Sequence, residues 1–198
     1  MQALDNVHVI RWIEPASGDE ALRSYTQRLA STIQTEHPFD IGGSSFGGIV
    51  ALELARHLQP ERGILIGSCR SATELPAYYK PLERASRMLP DRFLRPPAAI
   101  SLFIAHQFGI TKRDHRKLFF EMLNDTPVSF LRWATSTILG WKGSRDLRIP
   151  IFHIHGGNDH LIPLKYVRPD RVVAGAGHLL NLTHPSEVNG FVEEVRSR

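Results

Sequence analysis

Strand-like and helix-like spacings of apolar residues alternate along most of the chain. Val7 to Ile13 is a short β-branched run that ends before Pro15 and Gly18, which predicts a strand followed by a loop. Asp19 is the predicted N-cap of a helix in which apolar side chains recur every three or four residues. The apolar positions of this helix are Leu22, Tyr25, Leu29 and Ile33.

Four further strands and several helices are predicted after this first unit. The strands are Phe39 to Gly43, Gly63 to Gly67, Ile149 to Ile154 and Arg171 to Ala174, and two of the helices are Ile49 to Leu58 and Ser186 to Val195. Between residues 71 and 143, prolines punctuate helical stretches that include Leu102 to Phe108 and Lys117 to Leu123. We interpret this segment as a helical insertion over one end of the sheet.

The alternation of strands and helices predicts an α/β fold with a mostly parallel sheet and helices on both faces. In such sheets, functional residues gather where the strands end at their carboxyl termini. Three side chains that can carry chemistry follow predicted strands there, namely Ser45, Asp159 and His178.

Composition narrows the class of protein. The 198 residues suit a single domain, and 42% hydrophobic with 22% charged residues excludes a wholly disordered chain. The one cysteine, Cys69, cannot form an internal disulfide, and we expect it to be a small core residue. The chain shows no secretory signal and no apolar stretch of about 20 residues. We therefore expect a cytoplasmic protein with no membrane partner.

Positive charge is concentrated in one part of the chain. Residues 70 to 117 hold ten basic and four acidic side chains, a net +6, whereas the whole chain is +4. Such a segment can attract an anionic substrate or an acidic partner, although a solvated helical face is the more common explanation. It contains no recognisable nucleic-acid motif. Trp133, Trp141 and the Phe119–Phe120 pair are expected to pack in the core or the insertion rather than stack on bases.

The sequence Gly43-Ser44-Ser45-Phe46-Gly47 fits G-x-S-x-G, in which small residues let a strand turn sharply into a helix with the central serine at the apex. A serine hydroxyl is a weak nucleophile, so it needs a histidine base and an acidic residue that orients the histidine. Ser45, Asp159 and His178 occur in the chain order of the nucleophile-elbow hydrolases. Each also has a simpler explanation: a small turn residue, a turn-forming aspartate, and a packing histidine.

At these residues the sequence resembles the α/β-hydrolase family, and FDIGGSSFGGIVALELARHL is most similar to the elbow of thioesterases that act on carrier-bound acyl chains. The resemblance extends from Val7 to Val195. It implies Ser45 as nucleophile, His178 as general base and acid, and Asp159 as the orienting carboxylate. It also implies that residues 71–143 form a cap or lid on a single domain.

Two departures from the family concern the elbow and the oxyanion hole. Ser44 stands where the family often has histidine. One oxyanion donor is expected from the amide of Phe46, but no HG signature of a second donor precedes Ser45. Only one predicted strand precedes the elbow, so either the natural chain is longer or Val7 to Ile13 lies beside the elbow strand. In the second case the loop Glu14 to Ser17 would supply the second donor, except at Pro15.

Other site chemistries fit the sequence less well. His153, His155, Asp159 and His160 resemble a zinc-binding H-x-H-x-D-H cluster, but three residues separate His155 from Asp159 where that pattern allows one. His153 and His155 are expected to share one face of a strand. The glycine-rich turn lacks the lysine of a phosphate-binding loop.

The sequence therefore predicts a serine hydrolase that cleaves a carboxylic ester or acyl thioester through an acyl-Ser45 intermediate, with no metal or organic cofactor. Its expected partners are the small-molecule substrate and an acidic acyl carrier, with no nucleic acid. The alternative is a catalytically impaired binding or scaffold protein of the same fold that lacks a complete oxyanion hole.

Overall fold

The computed structural model describes residues 6–79, 90, 98–144 and 146–198, and it describes their side chains except at 98–101. Four strands form one sheet: β1 (Asp40–Ser44), β2 (Arg62–Ile66), β3 (Ile151–Gly156) and β4 (Arg171–Val173). They lie in the order β1-β2-β3-β4, and every neighbouring pair is parallel. The predicted parallel α/β sheet is confirmed, with each strand boundary within two residues of its prediction.

The described α-helices are α1 (Leu22–Ala30), α2 (Phe46–Leu58), α3 (Ala98–Gln107), α4 (Arg113–Asp125), α5 (Val128–Gly140), α6 (Leu180–Thr183) and α7 (Pro185–Arg196). Short 3-10 turns occur at Ala72–Glu74, Ala77–Tyr79 and Leu164–Tyr166. The predicted helical stretches 102–108 and 117–123 overlap α3 and α4. The role of residues 71–143 as a cap stays a prediction, since 80–89 and 91–97 lie outside the described residues.

Apolar residues from two groups of helices cover the two faces of the sheet. One core contains β1 and β2 residues with α1, α2 and α5, and the other contains β2, β3 and β4 residues with α6 and α7. Helix α2 is buried at eight successive positions, 48 to 55, because it lies between the sheet and α1. A helix that is buried on all sides can carry apolar residues around its whole circumference. A third, smaller cluster joins α3 and α4 to Leu179 and Leu182.

The predicted strand from Val7 to Ile13 is wrong, because the structure gives these residues no strand pairing. A strand needs a neighbour for its amide and carbonyl groups, and β1 pairs only with β2 among the described strands. The segment packs instead through its side chains and one hydrogen bond, in which the Tyr25 hydroxyl donates to the carbonyl of Ile13 at 3.0 Å. It still lies beside the elbow, because the Trp12 ring stacks on Phe46 with ring centroids 5.6 Å apart.

Other local predictions also need correction. The N-cap of α1 is Ala21 rather than Asp19, whose carboxylate accepts a hydrogen bond from the Ser17 hydroxyl at 2.6 Å. The helix ends at Ala30, so Ile33 lies beyond it while still packing against the core. Strand β3 begins after Pro150, which has no amide hydrogen to donate to a neighbouring strand.

Candidate active site

The candidate nucleophile lies at the sharp turn between β1 and α2. Ser45 has φ 52° and ψ −122°, a backbone conformation that non-glycine residues rarely adopt. Its amide donates to the carbonyl of Ile66 at 3.0 Å, and its own carbonyl accepts from the amide of Gly48 at 3.0 Å and the hydroxyl of Ser68 at 2.7 Å. These three hydrogen bonds hold the strained residue, which turns its side chain out of the strand–helix corner.

Backbone crowding explains the first glycine of the motif. A Cβ on Gly43 would lie 2.3 Å from the carbonyl carbon and oxygen of Gly47, whereas a Cβ on Gly47 would meet nothing nearer than the Trp12 ring at 4.0 Å. The two glycines of G-x-S-x-G therefore differ: the first is required by the close approach of β1 and α2, and the second is not.

Gly43→Ala is expected to lower the free energy of unfolding by at least about 2 kcal/mol, because no flexible side chain can move to relieve the clash with backbone. The matched variant Gly47→Ala is expected to unfold at or above the wild-type temperature, since alanine favours the helix more than glycine does. Thermal and urea unfolding of both variants measure this difference. Equal destabilisation by the two substitutions would contradict the steric explanation.

The structure brings the three predicted site residues together although they lie far apart in sequence. Ser45 directly follows β1, Asp159 follows β3, and His178 follows β4, all at the carboxyl end of the sheet. Nε2 of His178 is 2.7 Å from the Ser45 hydroxyl oxygen, and Nδ1 is 2.7 Å from Oδ2 of Asp159. A neutral imidazole in this position, with its proton on Nδ1, can accept the proton of the serine hydroxyl through Nε2.

The carboxylate of Asp159 is buried and fully hydrogen-bonded. Its Oδ1 accepts from the amides of Leu161 and Ile162, both at 2.8 Å, and its Oδ2 lies 2.7 Å from His178 and 3.2 Å from Nε2 of His155. Burial alone would raise the pKa of Asp159, but the hydrogen bonds from His155 and His178 outweigh it and hold this pKa well below its usual range. The carboxylate therefore stays charged into acidic solution.

The loop that carries His178 packs against the end of α3. The Phe108 ring lies edge-on to the His178 ring with centroids 5.5 Å apart, and the Phe108 carbonyl accepts from the Leu179 amide at 3.2 Å. Gly109 and Gly177 approach so closely that a Cβ on either would lie 2.5 Å from the other's Cα. Phe108, directly after α3, thus contacts the candidate histidine.

The amide of Phe46 is the predicted oxyanion donor. Phe46 begins α2, so its N–H is one of the first four of the helix, which have no partner within the helix. Of the loop proposed to supply a second donor, the Ala16 amide is already engaged, donating to the Glu20 carboxylate at 2.7 Å. Only the amides of Glu14 and Ser17 remain as candidates in that loop, because Pro15 has none.

Sequence analysis did not identify Ser68, Phe108 or His155 as part of the site. Ser68 follows β2 at the same edge of the sheet as Ser45, and that position was its one sequence signal. In the sequence, His155 is recognisable only through its resemblance to a metal ligand. Within residues 6–79, 90, 98–144 and 146–198, no group of three or more His, Cys, Asp or Glu side chains is placed to hold a metal ion. Cys69 is buried as predicted, and burial raises the pKa of its thiol.

Trp133, Trp141 and Phe119 are buried, in agreement with their predicted packing role.

His184 is the N-cap residue of α7. In the part of the chain that the structure describes, no helix is both long enough and apolar enough to span a membrane.

Comparison with known proteins gives one family and many structural neighbours. A sequence model of the alpha/beta hydrolase family matches residues 7–191. Among curated proteins, the chain is 43% identical over 47 residues to polyketide synthase PksR of Bacillus subtilis (strain 168). That match covers 24% of this chain and 2% of the synthase, so the chain spans only a small part of that relative's length.

Two solved structures illustrate the similarity of fold. The chain is similar to an esterase from Thermogutta terrifontis with bound malate, with a TM-score of 0.68 and 18% identity, covering 93% of this chain and 74% of that one. It is also similar to an esterase from Exiguobacterium antarcticum, with a TM-score of 0.68 and 14% identity, covering 93% of this chain and 76% of that one. At such low identities the similarity shows the fold alone.

Proposed function

Because the chain belongs to the alpha/beta hydrolase family, we propose that it is a serine hydrolase that cleaves a carboxylic ester or an acyl thioester through an acyl-Ser45 intermediate. The observation that carries this proposal is the continuous hydrogen-bonded series from the Ser45 hydroxyl through His178 to Asp159. Fold alone does not fix a reaction, whereas this arrangement has the parts that acyl transfer requires.

The proposed reaction assigns one step to each group. His178 accepts the Ser45 proton at Nε2 while the serine oxygen attacks the carbonyl carbon of the substrate, and the negative charge that forms on the carbonyl oxygen is stabilised by the Phe46 amide. His178 then gives the proton to the departing alcohol or thiol, which leaves the acyl group on Ser45. Water, activated by the same imidazole, hydrolyses the acyl-serine ester. Asp159 keeps the proton of neutral His178 on Nδ1 and stabilises the imidazolium.

Labelling with a fluorophosphonate probe tests the proposal, with the modified peptide located by mass spectrometry. The expected result is labelling confined to Ser45 and lost in Ser45→Ala. Ser44→Ala is the matched control: it removes the neighbouring hydroxyl, which bonds to Asn181 at 3.1 Å, and should leave labelling in place. A panel of esters and thioesters of increasing acyl length would follow.

The second candidate function is a binding or scaffold protein that keeps the fold without efficient catalysis. The hydrogen bond from the Ala16 amide to Glu20 favours this candidate, because it occupies one of the few donors in the loop expected to complete the oxyanion hole. Losing one oxyanion donor lowers turnover by about a hundred- to a thousandfold. A folded protein that the probe does not label, and that hydrolyses no substrate of the panel, would favour this candidate.

Acyl thioesters are included on two grounds: the elbow resembles those of thioesterases, and 47 residues match a polyketide synthase. We also propose that the basic segment 70–117 interacts with an acidic carrier or with the phosphates of a coenzyme A thioester. Of this segment, the structure describes residues 70–79, 90 and 98–117, and Arg84 and Arg87 lie outside the described residues.

The double variant Arg84→Gln/Arg87→Gln is expected to raise KM for an anionic acyl thioester several-fold at low salt, because two attractive charges are removed. At high salt the difference from wild type should shrink through screening. KM for an uncharged ester provides the control and should not change. An unchanged KM for the anionic thioester at low salt would remove this segment from substrate binding.

A further inference from the structure

Two buried histidines that take no part in the proposed reaction lie behind Asp159. Both His153 and His155 belong to β3, and neither exposes any surface to solvent. Nε2 of His155 is 2.8 Å from the carbonyl oxygen of Ile162 and 3.2 Å from Oδ2 of Asp159. Its Nδ1 is 3.1 Å from Nε2 of His153. The polar contacts of the site therefore continue past the carboxylate to the two histidines of the sheet.

The partners of the two rings fix where their protons lie. The Ile162 carbonyl can only accept, so Nε2 of His155 carries a proton, and Oδ2 of Asp159 lies 3.2 Å from the same nitrogen. Burial lowers the pKa of His153 to about 3, and the charge of Arg70 acts in the same direction, so this ring is neutral at neutral pH. With its proton on Nε2, His153 donates to Nδ1 of His155.

The remaining atom of the pair is consistent with this proton order. Nδ1 of His153 is buried and has no hydrogen-bond partner among the described residues. With the proton of His153 on Nε2, Nδ1 carries no hydrogen and presents only a lone pair. The opposite order would leave a buried N–H group without an acceptor, which occurs less often in folded proteins than an unmatched acceptor.

We propose that His155 is a positioning residue for Asp159, and that His153 holds His155 in the required tautomer. This inference rests on the proposed function, since it assigns Asp159 the role of orienting His178. Oδ1 is fixed by two backbone amides, whereas the partners of Oδ2 among the described residues are the two imidazoles. Without His155, Oδ2 would be held only by His178, the ring that the carboxylate has to orient.

The expected effects separate this role from simple space-filling. His155→Leu removes the donor and should lower kcat for an ester by about 10- to 100-fold, the effect of losing one hydrogen bond to a charged group, while KM changes less than about threefold. His155→Gln places an amide N–H near the position of Nε2 and should recover kcat to within about fivefold of wild type. His153→Leu loses one neutral hydrogen bond and should cost about two- to tenfold.

A spectroscopic measurement tests the same inference without a substrate. In protein labelled with ¹⁵N-histidine, long-range correlation spectra distinguish the tautomers, and both His153 and His155 should carry their proton on Nε2. The Nδ1–H resonance of His178 should shift in His155→Leu and return toward its wild-type position in His155→Gln. His57→Gln on the exposed side of α2 is the control and should leave this resonance and kcat unchanged.

Each of these measurements either supports or overturns the positioning role of His155. The proposal is overturned if folded His155→Leu keeps kcat within about twofold of wild type, or if folded His155→Gln is as slow as the leucine variant. If the leucine variant does not fold, a wild-type spectrum with the His155 proton on Nδ1 alone would overturn it. If wild-type protein hydrolyses no substrate, the proposed function fails, and the His178 resonance in the two His155 variants still decides the positioning role.

Discussion

Replacing Ser45 with alanine is expected to lower kcat for any ester or thioester substrate by about 10⁴- to 10⁶-fold, with little change in KM. The hydroxyl oxygen is the atom that forms the acyl bond, and no other hydroxyl is hydrogen-bonded to His178 in the described part of the chain. Binding of substrate depends on other surfaces and should persist. Steady-state kinetics with a chromogenic ester measure both constants, and Ser44→Ala is the control for loss of a neighbouring hydroxyl.

The double variant Ser45→Ala/His178→Ala sharpens this test. Because the two residues act in one step, removing both should cost no more than removing Ser45 alone. Residual activity above the rate of the uncatalysed reaction would then measure what the Phe46 amide and substrate binding contribute to catalysis. Multiplicative losses would show that the serine and histidine act independently, and a Ser45→Ala rate within tenfold of wild type would exclude Ser45 as nucleophile.

The sequence was sufficient to predict the sheet and the elements that carry the site. Parallel strands buried on both faces are short apolar runs, and Gly63 to Gly67 matches β2 to within one residue because its side chains meet core on both sides. The elbow was predictable for a related reason: the crowding at Gly43 excludes any side chain, which leaves a glycine visible in the sequence.

The first segment shows where sequence pattern is insufficient. Val7 to Ile13 has strand propensity, but a strand also depends on an unpaired neighbour at the correct distance, and that is a property of the whole fold. The structure instead uses these residues for packing, with Trp12 against the Phe46 ring. The pattern correctly identified apolar residues near the elbow and incorrectly assigned their backbone conformation.

The surroundings of His155 depend on the three-dimensional fold rather than on the sequence pattern. Strand periodicity correctly places His153 and His155 on one face, yet it cannot distinguish a pair directed at a metal from a pair directed at a carboxylate. The distinction depends on the turn after β3, which folds the Ile162 carbonyl and the Asp159 side chain back onto the His155 ring. The hydrogen bond joins residues seven positions apart across a turn, and a turn has no periodic sequence pattern from which this contact could be predicted.

Asp159→Asn is expected to lower kcat by about 10⁴-fold at neutral pH while the protein stays folded. The two amides that donate to Oδ1 require an oxygen there, so the asparagine must direct its NH₂ group at His178 and His155. Facing a donor, the His178 ring is driven to the tautomer with its proton on Nε2. That nitrogen can no longer accept the proton of Ser45, although every atom remains near its wild-type position.

The measurement combines steady-state kinetics with the ¹⁵N tautomer spectrum of His178 and a thermal unfolding curve. Asp125→Asn, an exposed carboxylate at the end of α4, is the matched control and should keep wild-type kcat. If folded Asp159→Asn keeps kcat within tenfold, or if His178 keeps its proton on Nδ1, the carboxylate does not set the tautomer. The contact of His155 with that carboxylate would then have no catalytic consequence, because the carboxylate is proposed to act on the reaction only through the tautomer of His178.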